Sequence, residues 1–406
     1  MARTGKRVAV IGAGPIGLEA ALYAARSGFD VQVYEADSVG ASLRDWGHVT
    51  LFTPWSMNAS PLAVEALGLN FPAQETPTGA QMVSDYLEPL AALPELHDRI
   101  HTFHRVVTIG RGGLLKGEAI LAAGDKRRTR QPFRILMDAP QGERIEEADF
   151  VIDTTGVYGQ PNAMGRGGIP ARGERFLGTR KFEGIPDVLN RDKNLFSGKK
   201  VLVVGGGLSA ATTLRDLSKS DVAAVHWVNR GNNPPLVPMP NDPLPTREAL
   251  VQDANSLAKN PPEHWTVYSR SQVLAFEING GQVRVTLDSP DTSPFDVDLV
   301  VNQTGFRPKN ALYRELQVHE CYATQGPMAL SAALMGSKGS DCTTQSSQGA
   351  NTLKSPEPNF YILGNKSYGR SNNFLLRVGH EQIRDAFQLI TGNPEHNLYK
   401  EPAAHA

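Results

Sequence analysis

Two glycine-rich turns, each lying between a strand and a helix, are the features of this sequence that most directly indicate chemistry. The first is Gly12-Ala-Gly-Pro-Ile-Gly17, preceded by the apolar run 8–11 and followed by a helical pattern. In such a turn Gly12 permits the tight bend, Gly14 lets the backbone approach a pyrophosphate, and Gly17 lets helix and strand pack closely. The helix N-terminus presents free N–H groups and its positive dipole end to phosphates.

The strand that follows the first helix ends in an acid. Residues 31–34 read as a strand, and Glu35 comes directly after it. A carboxylate at this position is placed to accept hydrogen bonds from a ribose. A glycine-rich turn alone is a weak signal, and its alternative is a merely structural turn. Here strand, turn, helix, strand and acid occur in order, which predicts dinucleotide binding.

The second turn repeats the pattern further along the chain. Gly205-Gly-Gly-Leu-Ser-Ala210 follows the strand-like run 199–204. The next predicted strand, residues 222–228, ends in Asn229-Arg230 instead of an acid. An acid would repel a 2′-phosphate, whereas the Arg230 guanidinium can pair with it, so the sequence favours NADPH over NADH. The alternative for Arg230 is a solvated arginine at a strand end.

A second internal repeat accompanies the turns. Residues 149–156 and 298–305 share an Asp-x-Val-x-x-x-Thr-Gly frame after strand-rich stretches. We interpret both as crossings, where the chain leaves one nucleotide domain and later re-enters it. Two nucleotide units are most simply explained by two different cofactors that exchange a hydride.

With these motifs the sequence resembles the two-dinucleotide-binding-domain flavoproteins, most closely the flavin-containing and Baeyer–Villiger monooxygenase branch. The branch fingerprint Phe-x-Gly-x-x-x-His is matched at Phe176 and Gly178, with Phe182 in the histidine position. The disulfide-reductase branch needs a close dithiol, which Cys321 and Cys342 do not form in sequence. The resemblance implies an α/β fold with two Rossmann-like domains. It places a discontinuous FAD domain at 1–165, with a helical cover at 41–105, and at 296–406 with a substrate loop; an NADPH domain, 166–295, is inserted.

The resemblance also assigns residues to the two cofactors. Gly12, Gly14, Gly17 and Glu35 carry over to FAD, and Gly205, Gly207, Ser209 and Arg230 carry over to NADPH. The further residues predicted to bind a cofactor are Pro15, Ile16, Ala36, Arg44, Trp46, Thr155, Gly156, Leu208, Thr304, Gly305, Gly364, Asn365, Asn373 and Phe374.

Four side chains are predicted to take part in catalysis. Asn58 lies where the resembling family uses an amide to hold a flavin hydroperoxide; its alternative is a capping or turn residue. Arg370 and Arg377 suggest an anionic substrate, or else two surface arginines. His380 is a candidate proton donor, or else a capping residue. The Ala-, Ser- and Gly-rich segment 321–350 is interpreted as a substrate loop or lid.

These features predict an NADPH-dependent flavin monooxygenase that oxygenates a small molecule at nitrogen, sulfur or carbon through a flavin hydroperoxide, with O2 as co-substrate. A reductase or dehydrogenase of an organic or thiol substrate is the alternative, and a non-catalytic redox sensor is a third hypothesis. The net charge of −1 does not indicate binding to nucleic acid or an anionic membrane through overall positive charge. The basic run 126–130 is interpreted as a solvated turn. No metal site is indicated, a cytoplasmic location is expected, and the oligomeric state, including a homodimer, stays open.

Overall fold

The computed structural model describes residues 5–336, 343 and 345–399, which form two compact units. Unit 1 comprises Met1–Gly159 and Arg307–Ala406, and unit 2 comprises Gln160–Phe306. The unit boundaries therefore fall at 159/160 and 306/307 instead of 165/166 and 295/296. The second boundary lies later because the strand Leu299–Asn302, which the predicted boundaries place in the FAD domain, pairs with Lys200–Val204 inside unit 2.

The strands of the described chain follow one another in the order β1 (Arg7–Ile11), β2 (Asp30–Tyr34), β3 (Ile100–His101), β4 (Arg105–Arg111), β5 (Phe133–Ala139), β6 (Gly142–Ala148), β7 (Phe150–Asp153), β8 (Lys181–Glu183), β9 (Lys200–Val204), β10 (Ala224–Val228), β11 (Trp265–Tyr268), β12 (Val273–Asn279), β13 (Gln282–Leu287), β14 (Phe295–Val297), β15 (Leu299–Asn302) and β16 (Phe360–Ile362).

The α-helices over the same residues are α1 (Pro15–Arg26), α2 (Ala41–Asp45), α3 (Trp55–Asn58), α4 (Pro61–Leu67), α5 (Gly79–Gln81), α6 (Glu88–Ala91), α7 (Arg127–Arg130), α8 (Lys193–Phe196), α9 (Leu208–Leu217), α10 (Pro245–Lys259), α11 (Met328–Gly336) and α12 (Leu376–Thr391). A π-helical segment, Met82–Leu87, joins α5 to α6. No helix in the described ranges is long and apolar enough to cross a membrane.

Unit 1 is built on a parallel sheet with the strand order β16-β7-β1-β2-β3. The apolar runs of β1 and β7 are buried throughout, as expected of strands covered on both faces. Helix α1 packs on this sheet, and Leu87 and Leu90 are fully buried in the same cluster. The closing helix α12 begins at Leu376.

A three-stranded antiparallel sheet, β4-β5-β6, also belongs to unit 1. Beside it the interpretation of 126–130 as a solvated turn is wrong for one residue. Arg128 is fully buried and donates a 3.0 Å hydrogen bond to Glu357, which also accepts a 2.8 Å bond from buried Arg111. Charge patterning missed this cluster because Glu357 is far away in sequence.

Unit 2 repeats the parallel architecture. Its sheet has the order β11-β10-β9-β15-β8, with parallel pairing throughout. A second sheet, β12-β13-β14, is antiparallel. Phe182, at the position of the fingerprint histidine, packs its ring 5.9 Å from that of buried Phe196. A phenylalanine at this position therefore contributes to the core of unit 2.

Candidate cofactor and active site

The first glycine-rich turn lies at the carboxyl end of β1 in unit 1. Gly12 adopts a φ of 104°, and its N–H donates a 2.8 Å bond to the carbonyl of Tyr34. A Cβ on Gly17 would lie 1.9 Å from the carbonyl oxygen of Gly12, so only glycine lets α1 approach the turn this closely. A Cβ on Gly14 would meet no atom within 4 Å, which leaves open space at this residue.

Helix α1 is not capped by a side chain at its N-terminus. Gly14 occupies the N-cap position and Pro15 the first helical position. The first N–H groups of the helix therefore remain available to a ligand, with the positive end of the helix dipole behind them. This arrangement fits a pyrophosphate bound against the turn.

Glu35 is positioned by backbone N–H groups at the end of β2. Its carboxylate accepts a 2.7 Å bond from Ala13 N–H and a 2.9 Å bond from Asp37 N–H. Glu35 thereby links the strand end to the glycine-rich turn. Each carboxylate oxygen can accept a further bond, so the residue retains capacity for a ribose. Its neighbour Ala36 is half-buried.

The Asp-Thr-Thr-Gly crossing at the end of β7 is organised by a buried ion pair. Lys366 Nζ donates a 2.6 Å bond to Asp153 and a 2.9 Å bond to the Thr155 hydroxyl. The Thr155 hydroxyl in turn donates to Asp153 at 2.8 Å, and its backbone N–H does so at 3.1 Å. Both of these Thr155 donors are thus committed inside the protein. The side chain of Thr155 can therefore contact a cofactor only through the remaining lone pair of its hydroxyl oxygen. The next residue, Gly156, has a φ of 64°.

Tyr313 lies beside this ion pair. The Lys366 ammonium is 5.1 Å from the centre of the Tyr313 ring. Burial raises the pKa of the Tyr313 hydroxyl, and the Asp153 carboxylate raises it further. The phenol therefore stays neutral next to the pair.

The chain returns to the same sheet edge after β16. Gly364 has a φ of 74°, and its N–H donates a 2.9 Å bond to buried Gln382 on α12. A Cβ on Gly364 would lie 3.4 Å from Ile16 atoms, and one on Gly379 would lie 2.3 Å from Ile16 Cδ1. Ile16 therefore lies where the start of α1 meets the start of α12 and the Gly364 turn. Asn365 is half-buried next to them.

Phe374 and Asn373 precede α12. The Phe374 ring lies 5.4 Å from that of buried Tyr368, edge to face. Asn373 is exposed, with its backbone N–H 3.5 Å from the Ser371 hydroxyl. Phe374 is therefore fixed by packing, whereas Asn373 presents its amide to solvent.

The cover segment of unit 1 contains three of the predicted site residues. Arg44 is exposed and forms a 2.5 Å ion pair with Glu88, so its guanidinium is already engaged. The amide of buried Asn58 exchanges two bonds with Thr53, at 2.7 and 2.8 Å. These two bonds hold the Asn58 side chain in place. Asn58 is the last residue of α3, so it is not the N-cap of that helix. Trp46 Nε1 is buried without a hydrogen-bond partner among the described residues.

The two predicted anion-binding arginines have different surroundings. Arg370 is exposed and donates a 2.9 Å bond to the side chain of Gln325. Arg377 is half-buried and donates to the carbonyls of Thr343 and Gln345, at 3.0 and 2.7 Å. It also lies 3.4 Å from Glu381. Arg377 therefore binds the backbone at Thr343 and Gln345. These bonds leave fewer of its N–H groups to bind a substrate anion.

His380 lies inside α12 and is neutral at physiological pH. Burial lowers the pKa of its imidazole to about 4. The capping alternative is wrong, because α12 begins at Leu376. As a neutral imidazole His380 can donate one hydrogen bond and accept another, but it does not supply a positive charge. Its Nε2 is buried and unpartnered within the described ranges.

The second glycine-rich turn has the same geometry within unit 2. Gly205 has a φ of 150°, and a Cβ there would lie 2.2 Å from the Gln303 carbonyl. A Cβ on Gly207 would meet nothing within 4 Å. Helix α9 starts at Leu208, followed by Ser209, and has no side-chain cap. These features would fit a phosphate bound against this turn, as at the first turn.

The residues after β10 differ from their counterparts in unit 1. Gly205 N–H bonds to the carbonyl of Val228, just as Gly12 N–H bonds to that of Tyr34, so Asn229 and not Arg230 occupies the position of Glu35. The buried Oδ1 of Asn229 has no partner in the described structure. Arg230 is exposed.

The Thr-Gly frame repeats in three dimensions as well. The Thr304 N–H and hydroxyl both donate to Asn302, at 3.1 and 2.7 Å, as those of Thr155 do to Asp153. The frame therefore forms the same turn in both units, and Gly305 follows with a φ of 83°. The ion pair of unit 1 is replaced in unit 2 by a neutral amide.

Sequence reasoning missed Asp153, Lys366 and His48. Asp153 stood in the motif, but the pairing of a strand-end carboxylate with a lysine 213 residues later leaves no trace in spacing. His48, whose two ring nitrogens are buried and unpartnered among the described atoms, is close to Trp46 in sequence and could have been found there. Cys342 lies outside the described residues. Within them, no group of three or more His, Cys, Asp or Glu side chains is arranged to hold a metal.

Comparisons with known proteins agree with this geometry. Residues 9–116 match the family model described as pyridine nucleotide-disulphide oxidoreductase. A search of curated proteins finds no match. Among solved structures, the bacillithiol disulfide reductase Bdr (YpdA) from Bacillus cereus is 19% identical, with a TM-score of 0.69, over 96% of this chain and 99% of that one.

Two further solved structures are oxygenating enzymes by name. The ornithine N-hydroxylase KtzI of Kutzneria sp. 744 is 16% identical, with a TM-score of 0.60, over 96% of this chain and 99% of its own. A flavin monooxygenase from Stenotrophomonas maltophilia is 19% identical, with a TM-score of 0.60, over 97% and 99%.

These comparisons confirm the α/β fold and the resemblance to the two-dinucleotide-binding-domain flavoproteins. The family and the structures are those of flavin-dependent oxidoreductases that use nicotinamide nucleotides. Reductases and monooxygenases share the fold at these identities, so the fold alone does not distinguish them.

Proposed function

We propose that this chain, whose fold is that of the two-dinucleotide-binding-domain flavoproteins, is an NADPH-dependent flavin monooxygenase acting on a small molecule. Unit 1 would hold FAD at Gly12–Gly17, and unit 2 would hold NADPH at Gly205–Ala210. When bound, the flavin supplies hydride acceptance from the nicotinamide and electron transfer to dioxygen. One oxygen atom of dioxygen would be transferred to nitrogen, sulfur or carbon of the substrate, and the other would leave as water, with NADPH supplying the two electrons and a proton being taken up.

The observation that carries the proposal is the presence of two complete nucleotide turns in a chain with two cysteines. Both helices begin without a side-chain cap, and both turns leave open space at the glycine where a phosphate would approach. The described cysteine, Cys321, is only 2% exposed. Its thiol is thus shielded from solvent in the conformation observed.

The residues of unit 1 have distinct roles in this proposal. The α1 N-terminus binds the pyrophosphate, and Glu35 accepts bonds from the ribose. The buried pair Lys366–Asp153 fixes the crossing, and Asn58, held by Thr53, lines the cover. His380, whose pKa burial lowers to about 4, would take part as a neutral hydrogen-bonding group.

A reductase of an organic or thiol substrate is the second candidate. It is favoured by Cys321, because hydrogen bonds from Thr324 lower the pKa of its thiol. Replacing Cys321 and Cys342 with serine tests this candidate. A thiol-based reductase would lose its turnover, whereas the proposed monooxygenase would keep its NADPH oxidation.

The proposal is tested by measuring NADPH oxidation by the purified FAD-loaded protein with and without oxygen. A monooxygenase stops after a single reduction of its flavin when oxygen is removed. If NADPH were consumed anaerobically as fast as in air while another acceptor was reduced, the monooxygenase proposal would be wrong.

A further inference from the structure

Among the described residues, three buried polar atoms without hydrogen-bond partners are concentrated in the cover of unit 1. They are Trp46 Nε1 and both ring nitrogens of His48. Buried polar groups in folded proteins are almost always hydrogen-bonded, because an unsatisfied group loses its water without replacement. Three such atoms in two side chains that are two residues apart therefore need a specific explanation.

The backbone that carries these side chains is firmly held. Val49 N–H donates a 3.0 Å bond to the carbonyl of Trp46. Ala80 N–H donates to the carbonyl of Gly47 at 2.9 Å, and Gly79 N–H to that of Val49 at 2.9 Å. A loose loop would not explain the missing partners, because the segment is tied to the start of α5.

The same segment adjoins the predicted flavin-binding turns. Gly40, directly before α2, donates a 3.1 Å bond from its N–H to the carbonyl of Ala13 in the first turn. The Trp46 ring lies 6.2 Å from the ring of Tyr158, which follows the Thr155-Gly156 crossing. Trp46 and His48 thus belong to the part of the cover that connects the two turns.

We infer that Trp46 and His48 form a hydrogen-bonding site for the polar edge of the flavin ring; the inference rests on the proposed function. The indole offers one donor, and a neutral imidazole offers one donor and one acceptor. The ring edge that presents two carbonyl oxygens and the N–H between them offers the complementary set. A single ring edge can bond to the indole N–H and to one of the two imidazole nitrogens, and His48 becomes a binding residue of the active site.

The inference predicts opposite effects of one substitution on the free and the loaded protein. His48→Phe removes two unsatisfied polar atoms while keeping a planar ring, so we expect an apoprotein at least as thermally stable as the wild type. The same change removes a hydrogen bond to FAD, so we expect about a three- to tenfold higher Kd. His48→Gln, which keeps a donor and an acceptor, should retain part of the affinity.

The measurement is FAD titration of the apoprotein, with melting curves and visible spectra of both forms. His396→Leu is the matched control, because the half-buried His396 bonds to Ser27 at 2.8 Å. It should lower the apoprotein Tm and leave the Kd for FAD unchanged. His48→Phe, by contrast, should raise the Kd, reduce the FAD-induced rise in Tm and shift the flavin absorption.

Two outcomes would overturn the inference. If His48→Phe bound FAD with the wild-type Kd and spectrum, ordered water and not the flavin would satisfy these atoms. If it lowered the apoprotein Tm as the His396 control does, His48 would have a structural role. Failure of the wild-type apoprotein to bind FAD would instead refute the proposed function itself, and the inference with it.

Discussion

Lys366 and Asp153 form a 2.6 Å ion pair in which the two side chains are 1% and 0% exposed. The pair joins the carboxyl end of β7 to the turn after β16, at the edge of the sheet where FAD is proposed to bind. In unit 2 the equivalent of Asp153 is the neutral Asn302, bonded to Glu183 at 2.9 Å and to the carbonyl of Asn162 at 3.0 Å. The charge is therefore not needed to form the Thr-Gly turn itself.

Breaking this pair from one side should be costly. Asp153→Asn reproduces the residue found in unit 2 but leaves the Lys366 ammonium buried without its counter-charge. We expect a loss of about 3–5 kcal/mol in the free energy of unfolding. Urea denaturation of the apoprotein measures it, and Asp153→Asn combined with Lys366→Met should recover much of the loss.

An exposed carboxylate provides the control for that measurement. Asp30 pairs with Arg99 at 3.0 Å, with side chains 48% and 25% exposed. Asp30→Asn should change the free energy of unfolding by about 1 kcal/mol or less. An equal loss in the Asp30 and Asp153 variants would contradict the role given to the buried pair.

Glu19, on α1, should make the stability of the protein depend on pH. Complete burial raises the pKa of this carboxyl from 4.5 to about 7, against smaller opposing effects of Ser60, Tyr399 and Tyr86. The opposing effects are weak because neither carboxylate oxygen of Glu19 has a hydrogen bond of normal geometry within the described part of the chain.

The sign follows from the direction of the Glu19 shift. A raised pKa in the folded state means that the folded protein binds the proton more tightly than the unfolded chain. The contribution is fully present below about pH 4.5 and is lost as the pH rises through about 7. Glu19→Gln should remove this loss, amounting to about 3 kcal/mol, and flatten the curve of unfolding free energy against pH in that range. A variant with an unchanged curve would show that folding does not raise the pKa of Glu19.

Gly14 and Gly17 should respond differently to alanine. A Cβ on Gly17 would collide with the Gly12 carbonyl, whereas one on Gly14 would meet nothing within 4 Å. Gly17→Ala should therefore lower the free energy of unfolding by about 3 kcal/mol or more. Gly14→Ala should keep wild-type stability but raise the Kd for FAD about tenfold, since it narrows the approach to the pyrophosphate. Unchanged FAD affinity in Gly14→Ala would argue against FAD at the first turn.

Arg230 should determine the preference for NADPH. If its guanidinium pairs with the 2′-phosphate, Arg230→Ala should raise the KM for NADPH about ten- to a hundredfold and leave the KM for NADH nearly unchanged. Arg284→Ala is the matched control, because Arg284 is an arginine of the same unit that pairs with Asp296 at 3.1 Å. Similar changes in the KM for both coenzymes would show that Arg230 does not bind the 2′-phosphate.

The sequence predicted the parts of the fold that depend on local pattern. The apolar runs before Gly12 and Gly205 form central strands of the two parallel sheets. They could be predicted because a continuous apolar segment followed by turn and helix signals is typical of a buried strand. The strand at 299–302 was assigned to the wrong domain, because pairing with β9 depends on contacts about 100 residues apart that periodicity does not report. Buried ion pairs were missed for the same reason. In the sequence Arg128 belongs to a basic run, and only the structure shows that it pairs with Glu357.

The site residues divide in the same way. Gly17 and Glu35 could be predicted as candidates because short motifs encode the backbone geometry in which the structure places them. Side chains such as Lys366 depend on partners from distant segments, so their use inside the protein became visible only in the structure.

The most direct test of the central claim is a stopped-flow experiment on the FAD-loaded protein. The protein is reduced with NADPH in the absence of oxygen and then mixed with oxygenated buffer while its visible spectrum is followed. We predict that NADPH bleaches the flavin and that oxygen produces a transient spectrum distinct from those of reduced and oxidised flavin. Direct return to oxidised flavin, with and without candidate amines, sulfides and ketones, would contradict the monooxygenase proposal; failure of NADPH to bleach the flavin would contradict the use of two nucleotides together.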